Sequence, residues 1–310
     1  MLDADFSAAG ALSLRKQLCV FGNSDGVFLY HNTDYVNFEV VVTHKDGAAG
    51  FGGVYTANLK DCNIDGAFRR AYEKAKAAIN PVPVNIGSYT VILEPEATAG
   101  LVRYLLMGLN GDSFLSGKSF ASGKLGEKLF GETITICDDV NNPAILCCPF
   151  DAEGRKRIPL TLINNGVVEN LLHDSKTAKR AGVPPTGHAV GNAGAGGQPA
   201  KVVIEGGDSS LDEMIGSTDK GILVTHFHYI NSVNPTKAQL TGLTRDGTFL
   251  IENGKIAYPI RNMRFTESML DAFSNVTGIS REHESCSVFG CPVLAPAMRI
   301  ENFHFTSGQS

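Results

Sequence analysis

The sequence predicts an α+β protein with large, curved, mostly antiparallel sheets and a few helices. Alternating segments flank turn sequences such as Asn165-Gly166, a pair typical of a tight hairpin. Helical segments are few and do not alternate with strands as they would in a βαβ array. The 34 glycines and the absence of tryptophan indicate many turns between strands.

The composition argues against several functional classes of protein. Apolar residues make up 43% of the 310 residues, which is enough for a sizeable core. The formal net charge of −5, without any run of Lys and Arg, argues against a nucleic-acid partner. No segment approaches membrane-spanning length and no signal-peptide pattern opens the chain. Seven cysteines without a disulfide-framework spacing favour the cytoplasm, so we predict a cytoplasmic protein without a membrane partner.

The N-terminal part is expected to contain a short helix, two strands and a longer helix. Residues 12–17 are interpreted as the short helix, and residues 27–30 and 38–43 as the strands. The glycines at 50–53 predict either a close backbone approach or a bulge. Residues 65–79 predict a helix with a small alanine face, ended by Pro81.

The central element is a helix that follows a predicted strand at residues 88–93. Leu101, Leu105 and Leu109 recur every four residues, which is the apolar stripe of an amphipathic helix. The Asn-Gly-Asp sequence at 110–112 is expected to end it, because Asn and Gly tolerate the left-handed conformation.

The second half predicts further strands, a loop and two helices. Residues 182–201, rich in Gly, Pro and Ala, are either a flexible loop or the wall of a cleft. Ser210 and Glu213 have the spacing of a capping box at a helix start. Residues 269–276 predict a helix and 296–305 a strand.

The strand, the helix and the sequence GLNGD at 108–112 together resemble the core of the TldD/PmbA (TldD/TldE) family. The sequences DAEG at 151–154, LINNGV at 162–167 and LIENGK at 250–255 resemble further parts of it. The resemblance runs from about residue 22 to residue 308 and implies a fold like the family's C-terminal region.

The resemblance also implies a domain organisation. We expect residues 1–310 to form a single TldD/PmbA-like region, with residues 1–87 and 88–310 as a division within it. The family's further N-terminal domain is expected to be absent, in either a natural short form or an excised fragment.

In the active subunit of this family, the central helix carries His-Glu-x-x-x-His, whose two histidines bind zinc. In that register Val102 and Met107 replace the histidines, and Arg103 replaces the glutamate. Valine has no donor atom, methionine is a weak ligand, and arginine stays protonated and is therefore no general base. The chain is thus most similar to the PmbA/TldE-like, zinc-less subunit, with no cofactor expected.

The resemblance implies a role in proteolysis or peptide maturation, under a family description that includes modulator of DNA gyrase. We expect a zinc-less subunit that shapes a peptide-processing cleft with a TldD-like metallopeptidase partner, or by self-association as a dimer. The peptide is expected to add as a strand to a sheet edge. Whether this chain is itself an enzyme stays open.

Two histidines and an arginine are candidate contacts for the peptide in this cleft. His226 and His228 lie two apart on a predicted strand and so share a face. The interpretation as a polar sheet face is favoured over metal binding. Arg245, in a predicted turn, forms either a rim salt bridge or a contact to a peptide carboxylate.

Two other functions remain as alternatives. The first is a self-sufficient metallohydrolase with a zinc site rebuilt from His226, His228, His283 and Cys286, of which Cys286 is nearest to the family's third ligand. Against it, Cys286 and Cys291 are interpreted as ordinary buried thiols. The second is a non-enzymatic binding or scaffold protein.

Two further residue pairs receive structural interpretations. Glu94 and Glu96 precede or open the central helix, where acids act as favourable partners of the helix dipole, so this role is favoured over acid–base work. Cys147 and Cys148 are adjacent and are interpreted as core thiols at a strand end.

Overall fold

A computed structural model describes residues 3–144 and 146–308 as strand-rich sheets with a few short helices. The strands are β1 Phe6–Gly22, β2 Phe28–His44, β3 Ala49–Thr56, β4 Gly87–Leu93, β5 Ile136–Asp138, β6 Leu160–Asn164, β7 Val167–Val168, β8 Val202–Ile204, β9 Lys220–Asn234, β10 Gln239–Glu252, β11 Lys255–Pro259, β12 Met263–Ser268, β13 Val276–Val288 and β14 Cys291–Gly308. The helices are α1 Ile64–Ala77, α2 Pro95–Leu106, α3 Gly111–Leu115, α4 Ser175–Ala181, α5 Leu211–Gly216 and α6 Met269–Ser274. None of the described helices is long and apolar enough to cross a membrane.

The first three strands form an antiparallel sheet, and β1 corrects one prediction. Residues 12–17, interpreted as a short helix, lie within β1, which pairs with β2 along its whole length. The side chain of Asn23 accepts hydrogen bonds from the backbone N–H groups of Asp25 and Val27 and closes the turn between the strands. The apolar spacing in six residues is therefore overridden by pairing with a partner strand.

Helix α1 packs directly on β3 because two glycines in that strand leave room for it. A Cβ atom on Gly50 would lie 2.1 Å from the Ala71 carbonyl oxygen, and one on Gly52 would lie 2.0 Å from that of Ala67. Ala67 and Ala71 are fully buried in this contact. Of the two predictions for residues 50–53, a bulge or a close backbone approach, the structure shows the close approach.

The other eleven strands form one mixed sheet that closes on itself. Strands β10, β9, β4, β14 and β12 pair in that order, and β12 pairs again with β10. The pairs β4–β9 and β8–β14 are parallel, whereas the others are antiparallel. Closure requires curvature, which repeated register shifts along β9 and β10 help to supply. The predicted class, with large, curved, mostly antiparallel sheets, is confirmed.

Helix α2 lies in the main apolar core, as its leucine stripe predicts. Leu101, Leu105 and Leu109 are all buried there. A single 3₁₀ turn, Met107–Leu109, follows the helix. Asn110 then both ends this segment and begins α3, since its side chain accepts hydrogen bonds from two backbone N–H groups of that helix.

Several shorter predictions have clear outcomes. The hairpin at Asn165-Gly166 is confirmed, with φ of 46° and 81° at the two residues. The capping box of Ser210 and Glu213 is also confirmed. The helix predicted at residues 269–276 ends two residues early, because Val276 already begins β13.

Candidate functional site

One side of α2 faces a cavity of about 450 Å³, here called the cleft. Three helix residues one turn apart, Glu96, Gly100 and Tyr104, form one wall, because residues four apart share a helix face. The opposite walls come from β2, β3, β9, the end of β13 and the turn that follows it. Their lining residues are Glu39, Phe51, His226, Phe227, His228, Tyr229, Ile230, Asn231, Ser287, Val288 and Phe289.

The three residues predicted to stand at the family's zinc-motif positions, in α2 and the 3₁₀ turn after it, lie in three different surroundings. Val102 is fully buried in the apolar core, whereas Met107 is 51% exposed at the start of the 3₁₀ turn. Residues five apart are about 140° apart around a regular α-helix, so the two side chains leave on different sides. The guanidinium of Arg103 is buried near the thiol of Cys291, and its Nη2 donates to Gln198 Oε1 at 3.4 Å.

These surroundings do not fit a zinc ion at the family's position. Val102 offers only hydrocarbon, and Arg103 places a permanent positive charge beside the site where a cation would sit. Met107 offers a thioether, a soft and weak ligand. Among residues 3–144 and 146–308, no three or more His, Cys, Asp or Glu side chains are grouped so that they could hold a metal.

His226 and His228 both line the cleft, as their spacing along one strand suggests. The Nδ1 atom of His226 lies 3.2 Å from Asp246 Oδ2, and its ring stacks on Phe51 with centroids 4.8 Å apart. Burial, aided by the positive charge of Arg245, lowers the pKa of His228. His228 is therefore held towards its neutral form, in which it both donates and accepts hydrogen bonds.

A buried acid–thiol pair at the cleft was not recognised from the sequence. The carboxyl group of Glu96 is buried against the thiol of Cys286, and burial raises the pKa of Glu96, an effect that His226 partly offsets. Burial, reinforced by Glu96, also raises the pKa of Cys286 well above its ordinary value. Both groups therefore hold their protons more tightly than they would in water. No local pattern joins a helix N-terminus to a strand so far along the chain.

The remaining candidates for a rebuilt metal site do not all meet at this pair. His283 lies on β13 three positions before Cys286 and therefore points to the other face of the strand. Its Nε2 donates to the carbonyl oxygen of Ile204 at 2.9 Å. The thiol of Cys291 donates to the carbonyl oxygen of Pro199 at 3.5 Å.

Arg245 lines a separate cavity of about 470 Å³ rather than the cleft. Its Nε atom lies 3.5 Å from Asp246 Oδ1, and its side chain is 46% exposed. Asp246 contacts both Arg245 and His226, so this carboxylate links Arg245 to the cleft. Its role as a peptide contact stays a prediction.

Glu94 and the adjacent cysteines have structural surroundings. Glu94 is the N-cap residue of α2 and forms an ion pair with Lys74 of α1. Cys147 and Cys148 are half-buried in the connection between β5 and β6 rather than at a strand end. Both line a cavity of about 260 Å³, here called the second cavity.

The Gly-rich segment at residues 182–201 is anchored by side chains from other elements. Asp174 Oδ2 accepts a hydrogen bond from Gly194 N at 2.5 Å. Asn110 Nδ2 donates to the carbonyl oxygens of Ala195 and Gly197 at 2.8 and 2.9 Å. The end of the segment lines the second cavity, and none of the residues that line the cleft belongs to the segment, so its interpretation as a wall of the peptide cleft stays a prediction.

Two family models match this chain. Residues 2–79 match the PmbA/TldA metallopeptidase central domain, and residues 86–307 match the PmbA/TldA metallopeptidase C-terminal domain. Together they include nearly all of the elements described above.

Individual relatives and structures agree with these models. A metalloprotease of Methanothermobacter thermautotrophicus is 29% identical over 77% of this chain and 52% of its own length. The metalloprotease PmbA of Escherichia coli O157:H7 is 25% identical over 94% of this chain and 64% of its own length. The chain thus spans about half to two thirds of these relatives. The crystal structure of TldE from Thermococcus kodakarensis superposes with a TM-score of 0.85 at 26% identity, covering 96% of this chain and 68% of that one.

A second solved structure shows the same fold. A protein of Thermotoga maritima described as a modulator of a DNA gyrase superposes with a TM-score of 0.83 at 22% identity, covering 93% of this chain and 66% of that one. At this identity the likeness concerns the fold alone. From the two family models, which cover both parts of the chain, it follows that this protein belongs to the TldD/PmbA metallopeptidase family.

Proposed function

We propose that this chain is a PmbA/TldE-type, zinc-less subunit that shapes a peptide-processing cleft together with a TldD-like metallopeptidase partner. The observation that carries the proposal is the chemistry of α2. At the three positions of the family's zinc motif, this helix offers a buried hydrocarbon, a buried cation and an exposed thioether. The same helix forms one wall of the cleft. Self-association in place of the partner, and a cytoplasmic location, belong to the same proposal.

The edge of β9 supports peptide binding in the cleft. Strand β9 pairs with β4 only at residues 221–224. Beyond that point, His226, Phe227, His228 and Asn231 pair with β10 on one side alone among the described strands, and the register shifts between His228 and Asn231. Residues 226–231 all line the cleft. An extended peptide adding to this edge would gain backbone hydrogen bonds, with side chains alternating between the cleft and solvent.

Two aromatic side chains at the cleft support the same role. Tyr229 and Phe289 are 70% and 71% exposed, and both have positive φ, 52° and 53°. A positive φ costs free energy for a bulky residue, so it is retained where surrounding structure or function requires it. In these conformations both side chains stand at the cleft, where they are available to a bound peptide.

Reconstitution tests the proposal. The chain, a TldD-type metallopeptidase from the same genome, and a mixture of the two are assayed on an unstructured peptide. The proposal predicts a stable complex and cleavage that needs both chains. Tyr229→Ala should raise KM several-fold, whereas Tyr258→Ala, on β11 away from the cleft, should not. A mixture that neither associates nor gains activity over the partner alone contradicts the proposal and leaves the scaffold alternative.

A hydrolase without a metal, which differs from the metallohydrolase alternative with a rebuilt zinc site, has one observation in its favour. Glu96 and Cys286 meet at the cleft near His226, where the acid and the thiol are able to hold and transfer a proton. That alternative predicts peptide cleavage by the chain alone, lost in Glu96→Gln and in Cys286→Ala. Under the zinc-less proposal, the chain alone cleaves nothing with or without these changes.

A further inference from the structure

The second cavity adjoins the cleft and has a different chemical character. Phe289 lines both cavities and so forms a shared wall. Two arginines, Arg103 of α2 and Arg157, line the second cavity. No Asp or Glu is present among its described lining residues. Two basic groups without an acid in one cavity favour an anionic occupant.

Hydrogen-bond donors in this cavity lack partners. In the part of the chain that the structure describes, eight buried side-chain nitrogen or oxygen atoms have no hydrogen-bond partner, and four belong to residues lining this cavity. They are Nε and Nη1 of Arg103, Nε of Arg157 and the hydroxyl of Thr33. Arg103 is only 6% exposed. A buried charged donor without a partner is costly, so an acceptor entering here would be bound strongly.

Among the described residues, neither arginine forms an ion pair with a carboxylate, and Arg157 Nη1 donates to the carbonyl oxygen of Gly187 at 2.7 Å. Oδ2 of the buried Asp138 accepts hydrogen bonds from the backbone N–H groups of Ala200 and Lys201, and its Oδ1 lies 3.4 Å from His188 Nε2. The Lys201 ammonium donates to backbone carbonyl oxygens. Burial raises the pKa of the Cys291 thiol to about 12, so this neighbour of Arg103 stays uncharged at neutral pH.

Further donors complete the lining. Tyr35 and Tyr55 line the cavity with their rings 5.4 Å apart. Burial raises the pKa of Tyr55, which therefore keeps its phenolic proton. Guanidinium forks with phenol and hydroxyl donors are the groups that hold planar or tetrahedral oxyanions.

We propose that the second cavity is an oxyanion site in which Arg103 and Arg157 hold a carboxylate or a phosphate group. The position next to the cleft favours the carboxylate of a peptide, and inorganic phosphate shares the same chemistry. The site does not require a partner subunit, so anion binding by the chain alone tests it independently of the proposed function.

Calorimetric titration of the full chain with inorganic phosphate, at constant ionic strength, is the first test. The proposal predicts saturable binding and a rise in Tm with phosphate. Arg103→Met should weaken binding at least about tenfold, the effect of losing a charge-assisted hydrogen bond. Arg157→Gln is the second variant, since Arg157 is less buried. Arg69→Gln, an exposed residue of α1 that lines neither cavity, should bind as the wild type does.

Arg103→Met is suited to this test because an apolar side chain can replace a buried charge without loss of stability. A Tm at or above that of the wild type, with phosphate binding lost, would separate the binding role from a structural one.

Peptides with a free or an amidated C-terminus form the second arm. If the peptide with a free C-terminus binds, and both amidation and Arg157→Gln weaken its binding, the site is assigned to a peptide carboxylate. Phosphate binding without such a difference keeps the oxyanion site and assigns it to free phosphate. Absence of binding for both probes, or equal binding by Arg103→Met, Arg157→Gln and the wild type, overturns the proposal.

Discussion

At the scale of single residues, the three positions that the family resemblance aligns with a zinc motif lie in three different surroundings. Val102 contributes packing in the core, Arg103 contributes charge to the second cavity, and Met107 is exposed to solvent. The sequence alone shows that none of the three is a suitable zinc ligand or base. That Arg103 turns towards a cavity with a second arginine appears only in the structure, because Arg157 lies on a distant loop.

The buried carboxyl of Glu96 makes stability depend on pH in a predictable direction. Its pKa is raised in the folded chain, chiefly by burial, so the folded chain binds this proton more tightly than the unfolded chain. Above about pH 4.3 the unfolded chain loses this proton while the folded chain still holds it, so the free energy of unfolding falls as the pH rises towards the folded pKa. At pH values above the folded pKa the loss of stability remains at its full size. Glu96→Gln removes this ionisation, so the Tm of the variant relative to wild type should increase as the pH rises above about 4.3.

Thermal melts at several pH values check this expectation. Glu252→Gln, which changes an exposed carboxyl on β10, is the matched control and should show no such trend. A difference in Tm between Glu96→Gln and wild type that does not change with pH would mean that Glu96 is not held protonated.

At the scale of elements, the contact of α1 with β3 depends on the absence of a side chain. A Cβ on Gly52 would lie 2.0 Å from a backbone oxygen of α1, so the helix must move. We expect Gly52→Ala to lower the free energy of unfolding by about 1–3 kcal/mol, as overpacking does. Denaturant unfolding measures the change. Gly216→Ala, with no atom within 4 Å of its added Cβ, should change stability by less than about 0.5 kcal/mol. Equal effects of the two changes would show that α1 does not need this approach.

Elements with a local signal were predicted well, and those defined by a distant partner were not. The leucine stripe of α2 and the Asn-Gly turn are local patterns that fix their own geometry. Residues 12–17 have an ambiguous pattern, and only pairing with β2 makes them a strand. The contact of Glu96 with Cys286 was missed for the same reason, since β13 carries the thiol and no local pattern places it beside α2.

At the scale of the whole molecule, an ion pair joins residues 1–87 to residues 88–310, the two parts into which we propose to divide the chain. Lys74 of α1 pairs with Glu94 at the start of α2 and donates to Thr225 Oγ1 at 3.1 Å. The side chains of the pair are 20% and 16% exposed. The cleft uses both parts, because Phe51 of β3 stacks on His226 of β9.

Removing this ion pair should therefore destabilise the chain more than removing an exposed one. We expect Lys74→Met to lower the free energy of unfolding by about 1–3 kcal/mol, since Glu94 would be left partly buried without its partner. Lys76→Met removes an exposed pair with Glu73 from the same helix and should cost less than about 1 kcal/mol. Similar losses in the two variants, measured by denaturant unfolding, would contradict the linking role of Lys74.

The fold class was predicted from turns and alternation, and the family from short matching sequences. The closure of the sheet through β12 was not predicted, because it depends on pairing between strands far apart in the chain. The cleft likewise gathers residues from strands and helices along the whole chain, so only its histidine pair had a visible signal.

The zinc-less character of the chain is tested most directly by its metal content. The full chain is purified alone, without chelator and without a His-tag column, and is analysed by elemental mass spectrometry. The structure of α2 predicts zinc far below one equivalent per chain. Zinc or iron near one equivalent would contradict the proposal and would direct alanine substitutions to Cys286, His226 and His228.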